Sequence, residues 1–225
     1  MSGHFSPGLF AFLGDLAAHN TREWFEANRD RYEREVQQPI LRFIDDLRPR
    51  LARVAPGFVA DPRKSGGSMF RIYRDTRFSA DKSPYKTHAA ARFLHRHQPK
   101  GQQGPSFYLH LEPGDSFGGG GISHPDMPAL TRIRHAIVEN GRAWRAVKKT
   151  GLAIEGDSLK RAPAGFDPSH VFADDLRRKD HYAIVAFTET EVTSRHFLDQ
   201  YVEACATVAP LVTFLSRTLG LGSRT

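Results

Sequence analysis

Apolar positions in the first fifty residues recur at helical spacing. Ser6 stands ahead of Pro7, a cap residue before a proline that suits the first helical turn, and Phe10, Leu13 and Leu16 follow up to a break near His19. Asn20-Thr-Arg-Glu23 reads as a capping box, with Asn20 at the cap and Glu23 reaching back to it. Trp24, Phe25, Asn28, Tyr32 and Val36 continue one stripe, and Ile40, Phe43, Ile44, Leu47 and Leu51 make another. Pro39 between them marks a kink or a fresh helix start. Trp24, Phe25 and Tyr32 are expected in the core.

The period then changes to two. Phe70 and Ile72 alternate with Arg71, Tyr73 and Asp75. From Tyr85 to Leu94 the residues Tyr85, Ala89, Ala91 and Phe93 take one face, and Lys86, His88 and Arg92 the other. From Ser106 to Glu112 the pattern turns Phe107, Leu109 and Leu111 inward, and Tyr108, His110 and Glu112 outward. Three such runs joined by short links predict antiparallel strands with one polar face. Phe117 to Ile122 adds a short strand, weakened by its four glycines.

Helical spacing returns over Pro128 to Glu139, with Asn140-Gly141 as a stop, and again over Ala143 to Thr150. The stretch from Glu155 to Pro168 is turn-rich, His181 to Phe187 reads as a strand, and Thr193 to Leu219 as a long helix containing Pro210. Helices, then strands, then helices define an α+β fold: a central antiparallel sheet covered by N-terminal and C-terminal helices. One domain over 1–225 is expected, helical over 5–52, strand-rich over 68–122 and mainly helical with one strand over 126–219.

With 225 residues, 40 % of them hydrophobic, the chain can bury a substantial core. A single cysteine, Cys205, rules out an internal disulfide framework and any cysteine-built zinc or iron–sulfur site, and on its apolar helix it reads as an inert buried thiol. No apolar run approaches the roughly 18 residues of a membrane span, and Asp15 interrupts the apolar stretch of an N-terminus that lacks a basic leader. The expectation is a soluble cytoplasmic protein with no membrane partner.

Charge changes this picture. The net charge is +7, and it lies in one segment. Between Asp61 and Gly104 stand Arg63, Lys64, Arg71, Arg74, Arg77, Lys82, Lys86, Arg92, Arg96 and Lys100 against only Asp61, Asp75 and Asp81, so the rest of the chain balances to zero. Such concentration predicts a surface that faces anions.

The same segment carries a family likeness. Phe70-Arg-Ile-Tyr-Arg-Asp75, Arg77-Phe-Ser79, Asp81-Lys82 and Pro84-Tyr-Lys-Thr-His88 resemble the signature of the domain of unknown function 2461 family of bacteria and fungi. Asn20-Thr-Arg-Glu-Trp-Phe25, Tyr108-Leu-His-Leu-Glu-Pro113 with the glycine run, Leu159-Lys-Arg161 and Gly165-Phe-Asp-Pro168 extend the resemblance from about Phe5 to about Leu219. Ser123-His-Pro125 departs from it, where a more apolar or aromatic tripeptide is expected. The resemblance implies a compact α+β fold; the family has no established activity, so no catalytic residue or cofactor is carried over.

What chemistry could the segment support? Aligned strands would gather Arg71, Tyr73 and Asp75 with Lys86, His88 and Arg92, and with Tyr108, His110 and Glu112. Arginine forks grip carboxylate or phosphate in two places, and lysine adds a point charge. Solvated cross-strand ion pairs are the plainer reading of the same residues. The link from Arg77 to Tyr85, holding Ser79, Asp81 and Lys82, could wrap a phosphate but lacks the glycine–lysine pattern of a P-loop. Arg74 falls on the apolar side and suits a partly buried arginine that holds a carboxylate.

The candidate ligand-binding residues are therefore Arg71, Tyr73, Arg74, Asp75, Arg77, Ser79, Asp81, Lys82, Tyr85, Lys86 and Glu112. His88 and His110 are the acid–base candidates if the bound molecule is turned over. The expected partner is an anionic small molecule, phosphorylated or carboxylated, with a nucleic acid as the alternative. His88, His110 and Glu112 could ligate a metal if two strands pair in register, but no ligand spacing supports it, nearby cations oppose it, and no metal is assigned. His95 and His97 are placed in a mobile loop. Gly156-Asp-Ser-Leu159 and Asp167-Pro-Ser-His170 mimic two blocks of GDSL-type esterases, yet lie too close together within one turn-rich stretch.

Overall fold

A computed structural model describes residues 3–222. Helix α1 (Pro7–Ala18) starts as its sequence predicts, with the Ser6 hydroxyl accepting the Gly8 N–H at 3.2 Å. Helix α2 (Arg22–Ala27) is capped by Thr21 rather than Asn20, the Thr21 hydroxyl accepting the Trp24 N–H. Asn20 acts at long range instead. Its amide donates to the Tyr85 carbonyl and accepts the Tyr85 N–H, both at 3.0 Å, and so clasps a backbone 65 residues away. Helix α3 (Arg29–Tyr32) runs through a π turn at Glu33–Gln37 into α4 (Gln38–Val54). There the Gln38 N–H reaches the Glu33 carbonyl, and Pro39, with no N–H of its own, opens the next helix. Phe25 and Tyr32 are core residues; Trp24 is only partly buried.

The sheet has five strands in the order β1 (Phe58–Val59), β2 (Ala89–His95), β3 (Ser106–Leu111), β4 (Ser116–Ile122) and β5 (His181–Phe187). Every neighbouring pair is antiparallel. The expected α+β fold is therefore observed. Phe70 to Asp75, however, is not a strand. It is an extended arm along the edge of β2, touching it at the Met69–Ala91 bridge and closing on itself at Tyr73–Tyr85. Beyond Phe70, whose N–H reaches the Ala90 carbonyl, the arm's backbone bonds turn to its own segment, Arg74 N–H to Pro84 and Lys86 N–H to Ile72, so no ladder continues along β2. His95, expected in a loop, is the last residue of β2 and is buried edge-on against Phe58 at 5.2 Å.

Beyond the sheet come α5 (Met127–Glu139), α6 (Gly141–Lys148), α7 (Ala173–Arg177), α8 (Glu189–Val192) and α9 (Phe197–Thr218). The C-terminal helix begins at Phe197, not Thr193, because Thr188 and Glu191 form a closed capping box around the separate short helix α8. Helix α9 packs across β4 and against α4, burying Phe197, Tyr201, Val208, Val212 and Leu215.

The glycines do not weaken β4; two of them, Gly118 and Gly120, let the helix in, while a Cβ at Gly119 or Gly121 would meet β5. A side chain at Gly118 would meet the Tyr201 ring at 2.8 Å, and one at Gly120 the Val212 methyl at 2.7 Å. Strand β4 is paired on both sides, so ladder hydrogen bonds offset the poor strand propensity of glycine. Below α5 and α7 a polar interior forms, in which Asp175 accepts the Trp144 indole N–H at 2.9 Å and the Lys148 ammonium at 3.0 Å. His181 lies beside it, fully buried.

Candidate functional site

The basic loop folds mainly onto itself. Arg74 is ion-paired with Asp81 and donates to the Ser79 hydroxyl at 3.4 Å, which makes it the partly buried arginine holding a carboxylate. Arg77 grips both oxygens of Asp75 at 2.9 and 2.7 Å. That guanidinium holds the Asp75 carboxyl down at about 2. Asp81 is held lower still by the Ser83 hydroxyl and by Arg74. The Lys82 ammonium donates to the Thr76 carbonyl at 3.0 Å, and Lys86 to the Arg71 carbonyl at 2.8 Å. Tyr85 belongs to the core. It is 2 % exposed and stacked on Phe25 at 4.2 Å, while Tyr73 next to it is half exposed. The Tyr85–Phe25 stack ties the arm and loop to helix α2, and two of the loop's cations, Arg74 and Arg77, are spent on carboxylates of the same segment.

A different group of the candidate residues converges on the outward face of the sheet. Ala89 pairs with Leu111 and Ala90 with His110, so the next step of the register sets His88 across from Glu112. Strand alternation turns His88, His110 and Glu112 to one side. Their ligand atoms lie within 4.8 Å of one another. His110 Nε2–H donates to Glu112 at 2.9 Å, and the Thr87 hydroxyl donates to the other Glu112 oxygen at 2.9 Å. On its far side His110 Nδ1 takes the Tyr108 hydroxyl at 3.4 Å. The His88 and His110 rings are 4.4 Å apart, and Phe117 stacks flat on His110 at 4.8 Å.

Burial dominates the electrostatics here. It lowers the His88 imidazole to about 4, helped by the adjacent His110 and Lys86 and opposed by Glu112. Burial alone would raise the Glu112 carboxyl, but hydrogen bonds from His110 and Thr87 outweigh it and hold the group low. The Lys86 ammonium is also lowered, first by burial and then by Arg71, and it sits 5.2 Å over the Phe70 ring.

Tyr108 and Phe117 link this cluster to a groove of about 440 Å³ across the same face. Phe70, Tyr108, Phe117, Tyr182 and Ile184 supply apolar walls, and Gly119 to Gly121 form a floor without side chains. Arg92 is the cation of the groove. Its Nε donates to Ser106 at 3.0 Å, and one Nη to Gln103 and the Gly104 carbonyl at 3.1 Å each. At the opposite wall His124 has a positive φ of 50°, with its N–H held by the Asp180 carboxylate. Sequence reasoning had Arg92 on the correct face but did not select it. The groove was not legible, because Glu155, Tyr182 and Ile184 come from more than forty residues beyond Tyr108.

A five-stranded antiparallel sheet with helices on one face and a partly polar groove on the other defines an α+β protein by architecture. A sequence profile described as "Conserved hypothetical protein (DUF2461)" matches residues 8–214. The chain belongs to that family, as its motifs imply. Comparison with curated proteins and with solved structures gives no match. Among the described residues no helix is long and apolar enough to cross a membrane.

Proposed function

We propose that the protein binds a small organic anion, carboxylated or phosphorylated, in the groove on the outward face of the sheet. The observation that carries this reading is the half-buried Arg92 guanidinium set among aromatic walls in a cavity large enough for a small molecule. Burial disfavours that charge, and an incoming carboxylate or phosphate would offset the penalty with charge-assisted hydrogen bonds. Lys86, held over Phe70 at the rim, adds a second positive charge. Aromatic walls suit a ligand with a flat or apolar body. The site thus moves from the loop of Arg74 and Arg77, where carboxylates already neutralise the cations, to the sheet face of Lys86, His88, Arg92, His110 and Glu112. There neither Arg92 nor Lys86 has a carboxylate partner among the described residues. No comparable observation favours a nucleic acid.

The test is calorimetric titration with benzoate, phenyl phosphate, phenylpyruvate and inorganic phosphate on metal-free protein. An aromatic anion should bind in a salt-tolerant manner, and Arg92→Met should weaken it by at least tenfold, the scale of one lost charge-assisted hydrogen bond of about 1.5–3 kcal/mol. Arg77→Ala should leave it unchanged. Absence of binding by all four, or equal affinity in Arg92→Met, refutes the reading.

A further inference from the structure

We infer that His88, His110 and Glu112 form a binding site for a divalent transition-metal ion of the zinc or ferrous type, open toward the groove. Two imidazoles and one carboxylate are the donor set such ions favour, and three protein ligands leave positions for water or a bound molecule. His88 immediately precedes β2, and His110 and Glu112 stand at and just past the end of β3, so the register of this antiparallel pair brings the three donors together. An ion with bonds of about 2.1 Å holds its ligand atoms roughly 3–3.5 Å apart. His110 and Glu112 already stand at 2.9 Å, and the 4.8 Å spread of the triad closes with modest side-chain rotation.

The surroundings supply what ligands need behind them. Thr87 holds the outer oxygen of Glu112, and Phe117 and His88 sandwich the His110 ring. Ligation through His110 Nε2 moves the ring proton to Nδ1, where the Tyr108 oxygen stands ready to accept it. Lys86 is the nearest opposing charge, and its ammonium is drawn away to the Arg71 carbonyl. This inference reverses the sequence-based expectation of no metal. That expectation rested on nearby cations, of which Lys86 is turned away, and on the absence of a local spacing motif, which a ligand set split across two strands does not possess.

The probes are Zn²⁺ and Co²⁺ added to chelator-treated protein, with Mg²⁺ as the comparison. Zn²⁺ should bind one to one and raise the melting temperature, and Co²⁺ should give a visible d–d spectrum of a nitrogen–oxygen site. His88→Ala and Glu112→Gln should each weaken Zn²⁺ by a hundredfold or more, and Thr87→Ala by about tenfold. His97→Ala, at an exposed histidine outside the triad, should change nothing. Circular dichroism of each variant separates lost binding from lost folding, and His88→Asn serves if the alanine variant unfolds. Failure of Zn²⁺ to saturate at one equivalent, or equal affinity in the folded His88 and Glu112 variants, overturns the site. Because the anion titrations use metal-free protein, either reading can fail while the other stands.

Discussion

On the inward face of β2 and β3 stand Phe93, Phe107, Leu109 and Leu111, each fully buried beneath the helices. On the outward face of the same strands stand Arg92 and Tyr108, lining a groove instead of a second layer, with His110 and Glu112 beside them. The backbone, register and ladder are shared, so only the side chains distinguish the faces. The inner set is interchangeable in chemistry and constrained in volume; the outer set is varied in chemistry and linked by directed hydrogen bonds. A sheet face that only needed solubility would carry separate solvated charges. This one instead buries a histidine against a glutamate and a guanidinium against tyrosine, which costs stability unless something else is gained.

The contrast breaks most sharply at two adjacent residues. Leu109→Ala should cost about 3–5 kcal/mol, the scale for a leucine removed from a closed core. Tyr108→Phe, next to it and pointing the other way, should cost less than about 1 kcal/mol while loosening the hold on His110. Urea denaturation of the two variants measures this. Equal losses would make the outward face as structural as the inward one.

A second prediction, of similar but smaller size, concerns pH. His181 is fully buried, and burial holds its imidazole down to about 4, with Arg178 and Arg134 pushing the same way and the Asp175 carbonyl and charge opposing. The folded value lies below the ordinary 6.5, so the unfolded chain binds more protons between the two. The stabilisation is complete above about pH 6.5 and is lost as the pH falls toward 4, by up to about 3 kcal/mol. His88, lowered to the same degree, adds to this window. Carboxylates lose their contribution only nearer their own ordinary values of 3.8 and 4.5. Urea midpoints from pH 7 to 4.5 should therefore fall, and His181→Gln should flatten the slope. An unchanged slope in that variant would sink the assignment.

Much of this was legible in the sequence because alternation is a local signal. Phe107, Leu109 and Leu111 against Tyr108, His110 and Glu112 needed only counting by two, and the inward three are fully buried as that count requires, although His110 on the outward face is buried as well. Three features resisted, each for a long-range reason. Asn20 looks like a cap until Tyr85 lies beside it, and Thr21 then takes the cap. The glycines of β4 look like a weak strand until α9, over Gly118 and Gly120, and β5, beside Gly119 and Gly121, show why no Cβ fits. Phe70 to Asp75 alternates as a strand should, yet lies at the sheet's edge with few backbone partners. Positions whose purpose is set by a distant partner carry no mark of it nearby.

The smallest effect is expected where the sequence drew most attention. Arg77 and Asp75 form a bidentate pair, but both are largely exposed, at 76 % and 53 % of the side chain. Water and salt screen such a pair, and the gain is set against the entropy of fixing two long side chains. Arg77→Ala should therefore leave the melting temperature unchanged within error in moderate salt, in contrast to Leu109→Ala. Its informative readout is binding. With the groove as the site, Arg77→Ala, alone or combined with Lys82→Ala, leaves the affinity for aromatic anions intact. If the double variant instead abolished a steeply salt-dependent affinity for short DNA or RNA, the loop would be the functional surface after all. The fully exposed Phe78 between Arg77 and Ser79, at 95 %, would then be its natural stacking residue.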